Sequence, residues 1–203
     1  MKKVAEHIHG YTYGTSTVAS SAVSLKQLDD LKISAGFTAE DQRYLQLAGS
    51  VLEDQTREIV AHWRSGIIAG MPNLARHSRT TEGEPNPDYL AKSNLRFEQW
   101  ILDTCLRPYD QEWLDYQQEI ALRHTSLKKN KTDEARSTSH VPLRDIIAFI
   151  AVINETIKPY LASKGHSADD VEGMHRAWCK CMQLQTALWS QTYADAKEAL
   201  HEW

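Results

Sequence analysis

The chain has 203 residues, 41% hydrophobic and 25% charged, enough to bury one sizeable core without metal or disulfide support. Its 23 Lys and Arg against 27 Asp and Glu give a formal charge of −4, which argues against wrapping a polyanionic backbone and so against nucleic acid as a partner. The longest apolar run, Ile146 to Ile153, is far shorter than the roughly 20 residues that span a bilayer, so no membrane insertion is expected.

The start, MKKVAEHIHGYTYG, is basic but has no apolar stretch or small-residue cleavage site, so no export signal is expected and the predicted location is cytoplasmic. Three cysteines, Cys105, Cys179 and Cys181, leave one unpaired in any intramolecular scheme, and reduced thiols are expected. Glycine and proline cluster between long stretches of helical periodicity, which predicts an all-α protein. Residues 1–23 lack a period and are expected to form an extended arm, pinned by Tyr11 and Tyr13. Residues 24–203 are expected to form a single domain.

Helix starts are marked by Ser24 with Gln27, Thr38 with Asp41 and Ser167 with Asp170, the capping pattern. The spacing predicts a helix from Thr38 to about Ala69, with a break near Gly49, and a short helix over Asn73 to Arg79. After the loop EGEPNP, an amphipathic helix runs from Asp88 to Arg107. Asp110 caps another, expected to continue through His124 to about Lys128. KKNKTDEARSTSH is a polar loop, Pro142 suits the first turn of a helix reaching Lys164, and the last helix starts at Ser167 and reaches towards Trp203.

On the helix from Asp110, Trp113, Tyr116, Ile120 and Leu127 form one stripe at the 3.6-residue period, and His124 falls within its width. A histidine facing the interior is more often a satisfied core residue than a ligand. The longer string FEQWILDTCLRPYDQEWLDYQQEIALRHTSLKKNKTD, from Phe97 to Asp133, changes that balance, because it resembles the haem-pocket stretch of the protoglobins, a single-domain branch of the globins. The resemblance extends to IHGYTYG, FTAEDQRYLQLAGSVLEDQ, AFI at Ala148 to Ile150, KGH at Lys164 to His166 and LQTALWS at Leu184 to Ser190, and so covers nearly the whole chain.

The resemblance implies a globin fold, a helical sandwich around haem, with an N-terminal extension and an extra N-terminal helix. It places His124 at the family's proximal histidine, and a neutral imidazole is a good ligand for the iron of haem b. Phe97 matches an aromatic of the distal side, and Phe149 and Ile153, one helical turn apart, match residues lining the cavity; all three are also ordinary core positions. Trp63 matches a distal tryptophan. The family has tyrosine next, whereas this chain has Arg64, which either turns outward, reaches a haem propionate or carries its charge into the pocket. Ser93 lies near the usual place of a distal histidine, so a histidine gate is not expected. Arg96, and the group Arg123, Lys128, Lys129 and Lys131, are candidate propionate partners.

Other candidates carry less. His62 points about 100° away from Trp63 and is not expected to serve as a second axial ligand. His175 and Cys179 share a helical face without Cys181, so no metal cluster is expected there. A homodimer is predicted through the last two long helices, since Trp178, Met182, Leu188 and Trp189 cover more than one face of the last helix, and the resemblance implies the same. Three functions follow: a haem globin that reversibly binds O2, CO or NO in gas sensing or scavenging; a haem enzyme acting on nitrite, NO or peroxide; and a haem-free helical interaction protein.

Overall fold

The structure, a computed structural model, describes residues 8–194. Chain order is α1 (Leu25–Ser34), α2 (Ala39–Leu52), α3 (Thr56–Ala61), α4 (Pro72–Ala75), α5 (Pro87–Leu106), α6 (Gln111–Leu122), α7 (Leu143–Thr156), α8 (Lys158–Leu161) and α9 (Ala168–Ser190). Apart from an isolated bridge between Arg79 and Pro85, the described residues hold no β structure. None of their helices is long and apolar enough to cross a membrane. The fold is all-α, the class that the resemblance implies.

The caps behave as their chemistry demands. Ser24 and Thr38 each form a reciprocal capping box, and the Asp110 and Ser167 side chains accept the backbone N–H groups of Trp113 and Asp170. Asp41 has a second task, because its buried carboxylate also accepts the Lys180 ammonium at 2.8 Å, tying the start of α2 to α9.

Helix α2 runs straight through Gly49 and ends at Leu52, so the expected break falls later than predicted. Glycine serves another purpose at that point. A Cβ on Gly49 would collide with Leu106 and stand 3.0 Å from the Cys105 Cβ, where α5 crosses closely. Leu106 is half exposed and can yield, but Cys105 is buried and fixed to the α5 backbone. Gly49→Ala is therefore expected to lose stability despite the roughly 1 kcal/mol that alanine gains in helix propensity, since overpacking costs about 1 to 3 kcal/mol. Urea unfolding should show a net loss of about 1 kcal/mol, and an unchanged or raised midpoint would refute the close crossing.

Helix α9 lies against α2, α6, α7 and α8. That central position corrects the argument made for a dimer face. Trp178, Met182, Leu188 and Trp189 are all buried within this one chain, while the residues α9 exposes after its first, Ala168, are polar: Asp169, Glu172, Arg176 and Gln183. The expected end of the last helix near Trp203 lies outside the described residues; within them α9 stops at Ser190 and a 3-10 turn follows.

The arm from residue 8 onward lies on the helices. Tyr11 donates its hydroxyl to Asp103 at 2.7 Å, and Tyr11 and Tyr13 meet the Tyr116 ring edge-on at 5.4 and 5.2 Å. Arg123 Nη2 donates to the Thr12 hydroxyl, and Arg96 Nη1 donates to the His9 carbonyl.

Candidate functional site

Between α5, α6, α7 and the turn that extends α3 lies a cavity of about 240 Å³, where roughly 10 to 15 Å³ holds one water. It is a built space rather than a packing defect. Phe97 from α5, Ile120 from α6, and Phe149, Ile150 and Ile153 from α7 supply an apolar wall; Arg64, Arg96, Arg123 and Lys129 supply the cationic part.

His124 enters the cavity from an unexpected backbone position. Helix α6 ends at Leu122 instead of reaching Lys128, and His124 follows in a tight turn closed by its own N–H to the Ala121 carbonyl. Beyond Leu122 the polar groups bond otherwise: the Thr125 hydroxyl donates to the Leu122 carbonyl and the His124 carbonyl accepts the Val141 N–H at 2.8 Å, while Arg123 pairs back to Glu119. Leu127, expected on the inner stripe, is consequently exposed. The imidazole Nδ1 faces the Ile120 carbonyl at 2.8 Å. A carbonyl only accepts, so Nδ1 carries the proton and Nε2 keeps its lone pair. Among the described residues no hydrogen bond occupies Nε2. Burial, with smaller contributions from Lys129, Arg64 and Arg123, pushes the ring's pKa down to about 4, against the Ile120 bond that favours the charged form. At pH 7 the group is a neutral imidazole with one free nitrogen, the form that ligates metal.

The opposite character marks Arg64. After Ala61 the backbone widens into a π-helical turn over His62–Ile67, and this turn accommodates Trp63 in the core and Arg64 in the cavity as neighbours. Trp63 is fully buried, packs on Phe97 at 5.2 Å and donates its indole N–H to Thr156 at 2.8 Å. It backs the cavity wall without being part of the lining. Arg64 lies over the Phe97 ring at 5.2 Å, and its Nη2 reaches the Ser93 hydroxyl at 3.3 Å. Its Nε is buried without an acceptor. The outward alternative for Arg64 is thus not the one observed. Desolvation lowers its pKa, the expected cost of a guanidinium held away from water.

The remaining cations are already engaged. Arg96 grips Asp133 through two nitrogens, at 2.9 and 2.5 Å, and Arg123 pairs with Glu119 at 2.9 Å. Lys128 also pairs with Glu119, whereas Lys131 is exposed. Lys129 is buried and donates to the His77 carbonyl and the Tyr89 hydroxyl.

One cluster escaped the sequence reading. His77 bonds Thr138 through Nδ1 at 2.7 Å and Asp145 through Nε2 at 3.2 Å, and His77 and Asp145 both line the cavity. These residues come from segments more than 60 positions apart, and no local spacing announces them. His62 points outward to the Tyr160 hydroxyl. Cys179 and His175 touch at 3.6 Å, but no group of three potential ligands assembles among the described residues. Cys105 and Cys181 are buried free thiols.

A search of curated proteins finds no match. Against known families, residues 24–199 match the Protoglobin family, a span that takes in the helices, the cavity and His124. The chain belongs to the protoglobin family.

Proposed function

We propose that this haem globin holds haem b in the cavity through His124 Nε2, with diatomic gases, O2, CO or NO, taken up on the side facing Arg64 and Ser93. Family membership makes the chain a haem-binding, gas-binding globin. The observation that carries the finer reading is the His124 imidazole on the cavity lining, neutral and with no hydrogen bond on Nε2 among the described residues, in a space of apolar wall and basic margin. When bound, haem would supply an iron able to take up a diatomic gas, with His124 as the residue to hold it. The protein's part is to fix the His124 ring through Ile120, to pack Phe97, Phe149 and Ile153 against a flat apolar plate, and to place Trp63 behind Phe97. Arg96 and Arg123 lie beside the space and balance carboxylates of either origin.

The role we propose is gas sensing or scavenging, and the location the cytoplasm. Homodimerisation stays a proposal from the family resemblance, and α7 offers the better surface for it, since Ile147, Ala148 and Ala151 face outward. Light scattering at micromolar concentration should report about twice the 23.1 kDa chain.

The decisive measurement is the absorption spectrum of the purified protein supplied with haem, in ferric, ferrous and carbon-monoxide forms. An intense band near the violet edge that shifts with carbon monoxide is expected. Absence of stoichiometric haem uptake would overturn the reading and leave the haem-free interaction protein.

A further inference from the structure

Thr138, His77 and Asp145 form a hydrogen-bonded series that haem binding does not use. The Asp145 carboxylate only accepts, so the His77 Nε2 that faces it at 3.2 Å carries the ring proton. Nδ1 is left with its lone pair, and the Thr138 hydroxyl donates to it at 2.7 Å. Hydroxyl, neutral imidazole and buried carboxylate thus stand in the order that activates a nucleophile, with the two ring nitrogens exchanged relative to the serine-protease template.

The series is held in place from several sides. The His77 carbonyl accepts both Lys129 Nζ at 2.9 Å and Ser137 Oγ at 3.0 Å, which anchors the histidine's backbone. Burial lowers the His77 pKa below the ordinary histidine value, aided by the charges of Arg76 and Lys129 and opposed by Asp145. Burial works to raise the Asp145 pKa, yet bonds from His77 and Asn73 and the charge of Arg144 bring it below the usual carboxylate value. Asp145 also sits in the first turn of α7, where a helix favours an anion. At pH 7 the pair is a neutral base beside an ionised carboxylate.

His77 and Asp145 line the cavity that His124 lines, but Thr138, half-buried, lines a second cavity beside α4, together with Arg76, Arg79, Thr80 and Thr81. Two guanidinium groups in that lining favour an anionic substrate and the negative charge that develops on a carbonyl oxygen under attack.

We infer that Thr138 is the nucleophile of a second site, an acyl-transfer site for small carboxylic esters that bear a negative charge, with His77 as general base and Asp145 as its positioning residue. The Thr138 Oγ1 proton passes to His77 Nδ1 as Oγ1 bonds the acyl carbon. The bond from that carbon to the ester oxygen then breaks, and the same proton leaves with the alcohol. Water, deprotonated by His77 in its turn, releases the acid and restores the hydroxyl. No step involves His124 or haem, so the inference goes beyond the proposed function and stands or falls apart from it.

The haem-loaded protein is mixed with para-nitrophenyl acetate or para-acetoxybenzoate, release of the phenol is followed, and the quenched protein is peptide-mapped for the acetyl group. Wild type should carry the acetyl group on Thr138 and show a rate that is level above about pH 6.5 and falls in acid as His77 protonates. Thr138→Val and His77→Gln should lose about 100-fold in rate, the lower end of general-base catalysis, while Thr138→Ser keeps most of it. Asp145→Asn places an amide donor against Nε2 and reverses the tautomer, so it should lose at least about tenfold and with it the acid limb of the profile. Arg79→Gln should slow the anionic ester more than the neutral one, and equal effects on both overturn the charge preference. An acetyl group mapped only to other residues, or equal rates in wild type, Thr138→Val and His77→Gln, overturns the inference. Should Thr138→Val fail to fold, the wild-type acetyl map and Thr138→Ser decide the matter. A missing haem spectrum overturns the function proposed above and leaves the acetyl map to decide this one.

Discussion

His124→Gly is expected to lose stoichiometric haem on gel filtration, with affinity reduced at least about 100-fold. Removing a residue that merely orients a metal ligand already costs about 10- to 100-fold, and here the ligand itself goes. The variant retains the Ile120 carbonyl, which in the wild type accepts the Nδ1 proton at 2.8 Å. An added small imidazole finds both the vacated volume and that acceptor, so millimolar imidazole should restore much of the haem uptake. The neighbouring wall, with Trp189 at 6.2 Å from the ring, is unaltered by the substitution. Full haem retention with an unchanged ferrous spectrum would show that another group holds the iron.

The largest stability effect is expected at Arg96. Its guanidinium pairs with Asp133, whose side chain is only 2% exposed, and the arginine itself is 13% exposed. Arg96→Met leaves that carboxylate enclosed without its main partner, because His9 lies at 3.6 Å and is half exposed. Breaking such a pair from one side costs about 3 to 5 kcal/mol, whereas replacing both partners with apolar groups is far milder. Urea unfolding should show a loss of that order for Arg96→Met and recovery of most of it in Arg96→Met/Asp133→Leu. A loss below about 1 kcal/mol in the single variant would mean that Asp133 finds water or another donor.

Much of this architecture is legible from local chemistry. Ser24, Thr38, Asp110 and Ser167 announce helix starts because a cap is a contact between residues three apart, and such contacts need no knowledge of the fold. His124 lines the cavity as helical phase predicts, but only because it lies two residues past the end of α6; Leu127, further along the same stripe, is exposed. The end of α6 is less so, since Arg123, His124 and Thr125 carry no helix breaker and the His124 carbonyl is taken by the N–H of distant Val141. The orientation of Arg64 hinges on the widened turn at His62–Ile67, which ordinary helical geometry does not anticipate. Burial of Lys129 and the His77–Asp145 contact arise only when distant segments meet. The apolar residues of α9 misled for a related reason: a helix surrounded by four others needs more than one apolar face, and periodicity alone does not distinguish that from a face awaiting a second copy.

The position of the arm makes Gly10 a point where the outside of the molecule acts on its inside. Gly10 has φ of +72°, and a Cβ there would stand 2.5 Å from Thr132 Cγ2 and 3.1 Å from Arg96 Nη1. Thr132 and Arg96 are also wall residues of the cavity. The stretch around His9 to Thr12 is therefore a second skin over that wall, one side chain thick. Any bulk added at Gly10 is transmitted through Thr132 and Arg96 to whatever the cavity holds, although the glycine touches none of it. The wall is consequently only as stiff as the arm's grip on Arg96 and Arg123, and loosening that grip softens a pocket whose inner lining has not changed.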